Sequence, residues 1–345
     1  KINVNVNSYS YFFQKGYKVA EISKKIAKTL SFPFKSFKVN KGYLWNDIEK
    51  LAEINNSYSE FTHSRQMAVI DEIEKLGDIF SLGHWGDVLF DSVGIEYLDE
   101  DKVLPILKKK MIKKGGLELA ESLWKNWKIE GEFNNYLDNR LLSLWNEIKI
   151  DNFSAKLRAF KSLHWAPRWT SVNLSIFENV KPINLPYYEN EMCKFICSIP
   201  DELLKDRQIQ IEYIKQNSSK VAKITWQENK PFNLNNYHLN KFPYNFPYRV
   251  ITKIQRELIG LFGNKFVQRN WELQFLGRTN NDNLKKYLFD SNLKKIIPIP
   301  LIEGFYQKFK NQNQLKYSHP VSMLLTLSLF IKQDEILQKE LNEKL

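Results

Sequence analysis

The strongest constraint on this fold is a change of hydrophobic period partway along the chain. KINVNVN places apolar residues at alternate positions, the period of a strand. Val19, Ile22, Ile26 and Leu30 then follow helical spacing through YKVAEISKKIAKTL. FKSFKVN reads as a second strand, LWNDIEKLAEI as a helix, SRQMAVIDEIEKL as a third and stronger helix, and DIFSLG as a buried strand. Helices lying between strands imply right-handed crossovers and a parallel sheet. Beyond residue 95 the strand signals fade. VLPILKKKMIKK, GLELAESLWKNWKI, NNYLDNRLLSLWNEIKI and SAKLRAFKSLHW carry Trp and Leu on helical faces. ENEMCKFICSI, IQIEYIKQN, YRVITKIQRELIGLFG, NDNLKKYLFD and PVSMLLTLSLFIKQDEILQKEL follow, separated by Pro- and Asn-rich joints. The expected class is therefore α/β: a small parallel layer over residues 1–95, then a large, mainly helical region over 96–345.

At 345 residues, 43% of them hydrophobic and 14% aromatic, the chain can bury a sizeable core. Its longest apolar run, Met323–Ile331, is too short to cross a bilayer, and no signal-peptide pattern opens it. A soluble, cytoplasmic protein with no membrane partner is expected. The formal charge of +12 raises nucleic acid as a partner. The excess is almost all Lys, spread along helical stretches, with Arg sparse. Even the densest cluster, Lys108-Lys109-Lys110 with Lys113-Lys114, lies between apolar segments as a solvated helix end would. No nucleic-acid partner is expected. Cys193 and Cys197 share a helix face with no neighbouring His, which excludes a zinc site and suggests buried, reduced core thiols.

Searches for catalytic signatures leave one stretch. There is no G-x-G-x-x-G, no G-x-x-x-x-G-K-[ST], no H-E-x-x-H and no G-x-S-x-G, and His63, His84, His164, His238 and His319 are scattered. SLGHWGDVLFDS, residues 81–92, follows the last predicted strand of the parallel layer, and ligands of such sheets bind beyond the carboxyl ends of strands. Gly83 and Gly86 can adopt φ > 0 and bring backbone N–H groups close to an anion. Asp87 offers the hard oxygen that Mg²⁺ prefers. The same pattern also suits an ordinary strand-to-helix turn with an Asp near the helix start. Trp85 suits packing under the loop, and Arg168 either a helix surface or an anion.

The loop has company elsewhere in the chain. SLGHWGDVLFDS resembles the second nucleotide-site motif of the asparagine synthetase family, usually close to SGEGADELFGG, with Gly83, Asp87, Leu89 and Phe90 coinciding. YKVAEISKKIAKTLSFPFKSFKV is similar to the family's "EA..A..VA..LG" helix and following strand. RWTSVNLSIFENVKPINLPYYENEMCKFICSIPDEL resembles the segment ending "R.PF.D..L..FA.SLP.EL", with Pro186, Tyr187, Glu189, Phe195, Ser198, Pro200, Glu202 and Leu203 in register. AKITWQENKPFNL is similar to "IPWQKTGLP" of the bacterial asparagine synthase-like branch, and HPVSMLLTLSLFIK resembles that branch's final helix. The motifs keep the family's order over nearly the whole chain.

The resemblance implies an ATP-pyrophosphatase-type (adenine nucleotide alpha hydrolase-like) layer with a helical extension. It implies Mg-ATP as cofactor, adenylation of the side-chain carboxylate of aspartate, release of pyrophosphate, and attack by ammonia to give the amide. In the family that ammonia is derived from glutamine in an N-terminal glutaminase domain. By the same resemblance Asp87 would be the Mg²⁺ and pyrophosphate ligand, Gly83 part of the adenosine and phosphate wall, and His84 the base toward the amine, with Gly86 a nucleotide-binding candidate from its conformational freedom. The family's SGGLDS phosphate loop would precede Lys1, so the chain is expected to be a fragment, inactive alone. The look-alike KGGLELAES, from Lys114, is read as a helix start. His84 replaces the family's Glu, Val88 its second acid, and Asn184 the Arg before "PF.D". Gln208, Gln210 and Lys215 lie where the family carries a lysine near the adenylate. Glu189 is expected to cap the helix bearing Cys193. The departures leave three readings open: an asparagine synthase, an amidotransferase acting on another small carboxylate, and a non-catalytic scaffold. Homodimerisation is left open as well.

Overall fold

The strand–helix–strand pattern at the start of the chain folds as β1 (Ser8–Phe13), a helix (Val19–Thr29) and β2 (Phe34–Val39). The structure, a computed structural model, describes residues 5–13, 16, 19–56, 60–113, 115–261 and 267–343. β1 and β2 pair in parallel, in register from Ser8 opposite Phe34 to Phe13 opposite Val39. Ala27 of the helix and Val39 of β2 are buried. The strand expected over KINVNVN is displaced: residues 5–7 are not in a strand and are exposed, and Lys1–Val4 lie outside the described residues. Pairing sets the start. Both the N–H and the hydroxyl of Ser8 donate to the carbonyl of Pro33, at 2.9 and 2.6 Å, and Pro33 has no N–H with which to extend the ladder.

The expected single sheet is two separate parallel pairs. β3 (Phe80–Ser81) joins β4 (Ile183–Asn184), a strand from a hundred residues on, and does not join β1 or β2. The expected strong helix over SRQMAVIDEIEKL is also broken, into a 3₁₀ turn (Arg65–Val69), one α-turn (Ile70–Ile73) and another 3₁₀ turn (Glu74–Leu76). Its polar side chains reach away from the axis; Gln66 Nε2 donates to the carbonyl and the Oδ1 of Asn173 at 3.3 and 3.1 Å.

The helical stretches beyond residue 95 fold as read, with additions. VLPILKKKMIKK, GLELAESLWKNWKI and NNYLDNRLLSLWNEIKI give helices Glu100–Met111, Gly116–Asn126 and Phe133–Glu147. Lys114 of the look-alike loop lies outside the described residues, but the helix does start at Gly116, after Gly115 at φ 78°. Phe153–Phe160 runs through a π-helical turn, Lys161–Trp165, into Ala166–Glu178. The wide turn falls just before Pro167, which withholds an N–H from the helical ladder. Ile299–Asn311, which the sequence reading passed over, is a full helix with Ile302, Phe305, Tyr306 and Phe309 buried.

The chain divides into two compact units, each assembled from three segments. The first runs to Lys41 and adds Ala68–Val93 and Val180–Asn270; it holds all four strands of the described residues. The second comprises Gly42–Met67, Gly94–Asn179 and the chain from Trp271 onward, and its described residues are helical. One core cluster in the second unit brings together Val103, Leu107, Leu141, Trp145, Phe153, Leu157 and Phe160. Each such side chain contributes about 1.5–3 kcal/mol by leaving water. Among the described residues no helix is long and apolar enough to cross a membrane.

Candidate functional site

The loop Leu82–Asp87 leaves the carboxyl end of β3 in the first unit. Leu82 donates to the carbonyl of Asn184 at 2.9 Å, prolonging the parallel pair by one bond before the chain turns away. The turn is made by Trp85, at φ 71°, and leads into one helical turn, Gly86–Leu89. The left-handed conformation that Gly83 or Gly86 was expected to provide thus falls on the tryptophan instead. Trp85 is 3% exposed and meets Tyr188 edge-on at 5.9 Å, so it packs under the loop as expected. That packing holds a non-glycine residue in a region that sterics disfavour.

Each of the four singled-out residues has a distinct setting. Gly83 is exposed, and a Cβ built on it would meet no atom within 4 Å. Gly86 is buried, and a Cβ there would lie 2.6 Å from the Tyr187 ring; its glycine is required by packing. Asp87 is exposed. The helix-cap alternative for Asp87 is not what forms, because Trp85 is the cap residue and no side chain caps this turn. His84 is half-buried; its Nδ1 is shielded from solvent without a hydrogen-bonding partner. Burial lowers its pKa, opposed by the nearby Asp87 carboxylate, so the imidazole is neutral at pH 7.

The second block of the resemblance lies against this loop. Asn184 sits in β4, Tyr187 covers Gly86 and meets Phe90 edge-on at 5.6 Å, and Phe90, Ile196 and Leu204 form a small core. Of the candidates for the family's lysine, Gln210 reaches the loop: its Nε2 donates to the Gly86 carbonyl at 3.2 Å and to Tyr187 Oη at 3.4 Å. Lys215 pairs with Glu212 at 2.6 Å. Glu189 occupies the cap position of helix Asn190–Ser198, but its side chain makes no cap bond. The thiols are not core residues: Cys197 is exposed and Cys193 half-buried, because Ile196 is the residue that this helix buries.

The second unit holds a polar concentration that the sequence reading missed. A small, half-open depression is lined by Glu60, Ser64, Arg168, Trp169 and Asn173, among others. Ser64 is 3% exposed, and neither its Oγ nor Oε2 of Glu60 has a hydrogen-bonding partner. Burial raises the Glu60 carboxyl pKa, against hydrogen bonds from Thr62. Lys113 Nζ lies 4.9 Å over the Trp169 ring, and His63 meets that ring edge-on at 5.0 Å. Burial and the Lys113 charge depress His319 to about 4 and lower His63 as well. Such a depression can hold a proton on Glu60 or admit about one water that donates to Oε2. The signal was present in SEFTHSR, where an acid, a histidine and hydroxyls crowd between two apolar helices. Arg168 donates Nη1 to the His164 carbonyl at 2.5 Å, so it is a surface residue that also borders this depression.

Among the described residues no group of three His, Cys, Asp or Glu could hold a metal ion. Comparison with protein-family models, with curated proteins and with solved structures found no match.

Proposed function

We propose that the 82–87 loop receives the phosphates of Mg-ATP and that the chain is an ATP-dependent amide-forming synthetase like those of the asparagine synthetase family. It would adenylate a small carboxylate, aspartate by resemblance, and pass ammonia to it. The observation that carries this reading is the convergence at one parallel strand end of an unobstructed Gly83, an exposed Asp87 carboxylate and an unpartnered His84 Nδ1. The packing of Tyr187, from the second resembling block, and of Gln210, a candidate for the family's lysine, on the same loop adds support.

The donor set suits Mg²⁺ in one manner only. A ready-made cage is absent among the described residues, whereas a single carboxylate suits a cation that keeps most of its ligands as phosphate oxygens and water. Bound Mg-ATP supplies a pyrophosphate leaving group and neutralises its charge. The Asp87 carboxylate would hold the cation, and Gly83, lacking a side chain, leaves room for an anion beside the backbone. His84, neutral, would accept the proton lost by the attacking amine on whichever ring nitrogen the bound substrate reaches. Trp85 and Tyr188 close the underside of the loop against water.

The second reading is a scaffold that binds nucleotide without turnover. It is favoured by Val88, buried at 7% where the family carries an acid. Mg-ATP binding by the chain, and pyrophosphate release by the full-length protein measured with aspartate and with other small carboxylates in the presence of ammonium, test both. Carboxylate-dependent release that His84→Asn abolishes supports the synthetase. Binding without release selects the scaffold, and neither binding nor release overturns both.

A further inference from the structure

In the first unit, helix Phe246–Leu261 presents its apolar side to solvent. At 3.6 residues per turn, Phe246, Val250, Ile251, Ile254 and Leu258 fall within an arc of about 140°. All five are exposed, Phe246 at 55% and Ile254 at 52%. The side chains that turn inward, Tyr248 and Thr252, lie on the opposite side and are half-buried. Buried Asn245, whose Nδ2 donates to Asn240 Oδ1 at 3.1 Å, fixes where the helix begins. Exposed Phe242 (76%) and Tyr244 (58%) extend the apolar surface beyond the helix start. A contiguous patch of this kind marks an interaction surface.

The charge pattern selects the partner. Arg249 and Lys253 follow one border of the arc, and Lys241 stands beside Phe242; all three are exposed. Over residues 241–258 the one acidic residue is exposed Glu257, which falls at the edge of the arc between Phe246 and Val250, one turn from Lys253, while the whole chain carries +12. Anionic headgroups attract such a border. An apolar arc with a basic border and aromatic residues at one end is the pattern of helices that lie in the plane of a bilayer surface.

We infer that helix Phe246–Leu261, with Phe242 and Tyr244, docks on the surface of an anionic lipid bilayer and lies in its interface without spanning it. The inference is independent of the nucleotide site. It revises the expectation of no membrane partner, which rested on the lack of a spanning run; an interfacial helix needs amphipathicity, not length.

Vesicle co-sedimentation tests it, using phosphatidylcholine vesicles with and without phosphatidylserine. The whole chain should bind the phosphatidylserine vesicles, and binding should weaken as salt is raised. The exposed double variant Ile251→Glu/Ile254→Glu should keep its circular dichroism and melting temperature and lose at least about tenfold in partitioning. Arg249→Glu/Lys253→Glu should lose the preference for phosphatidylserine. Equal binding by wild type and variants, or no binding at low salt, overturns the inference. So does a wild-type dimer that the Ile variant turns into monomer while vesicles bind neither, which would make this face a contact between copies.

Discussion

Substituting Gly86 by alanine tests how the candidate loop is held. A Cβ there would lie 2.6 and 2.7 Å from Cε2 and Cζ of Tyr187, well inside van der Waals contact. The ring has little freedom to retreat, because its Oη accepts from Gln210 and its face meets Phe90 at 5.6 Å. Overpacking of this kind costs about 1–3 kcal/mol. Alanine's better helix propensity offsets at most about 1 kcal/mol, and less in a single turn. The expected net destabilisation is therefore about 1–2 kcal/mol, read from urea unfolding followed by tryptophan fluorescence. The double variant Gly86→Ala/Tyr187→Leu opens space for the methyl group. It should be less destabilised than the sum of the two single variants, a coupling of about 1 kcal/mol. A neutral Gly86→Ala, or strict additivity, would refute the packing argument and leave close approach by a ligand as the reason for this glycine.

Two further predictions concern the helical unit. His319 is held at about 4 by burial and Lys113, against 6.5 when unfolded, so the unfolded state binds more protons between those values. Stability should thus fall as pH drops from about 6.5 toward 4, by about 2 kcal/mol for this residue, and His319→Asn should reduce that slope, leaving the part due to His63, which is also held at about 4. Glu118 bonds Lys308 Nζ at 2.6 Å and Lys316 Nζ at 2.8 Å, which holds its carboxyl at about 2. Its contribution is present above about 4.5 and lost as pH falls toward 2. Being one-third exposed, it should yield only about 1 kcal/mol to Glu118→Gln at pH 7 and nothing at pH 2.

What the sequence made legible was local. Helix Val19–Thr29 and the helices beyond residue 95 follow from 3.6-residue spacing, because one element's own apolar stripe determines them. The errors came where a distant partner decides. KINVNVN alternates as well as any strand, yet its described residues, 5–7, lie outside β1, which begins at Ser8, where Pro33 and Phe34 offer the ladder. β4 is two residues long and could not be seen before its partner Phe80–Ser81 was placed. SRQMAVIDEIEKL has helical spacing, but Gln66 bonds to Asn173 and the helix breaks into short turns. At the candidate site the sequence located the residues and could not give their settings: the positive φ belongs to Trp85, and Gly86 is demanded by Tyr187. Ser64 and Glu60 were missed because burial without a partner is invisible in a one-dimensional pattern.

The most direct measurement is a calorimetric titration of the chain with Mg-ATP, repeated with Asp87→Asn. Asp87 is exposed, so the variant should fold and melt as the wild type does. The account predicts saturable binding that weakens about tenfold in the variant, equivalent to about 1.4 kcal/mol for one lost charged contact. Absence of binding, or equal affinity in wild type and variant, would contradict it.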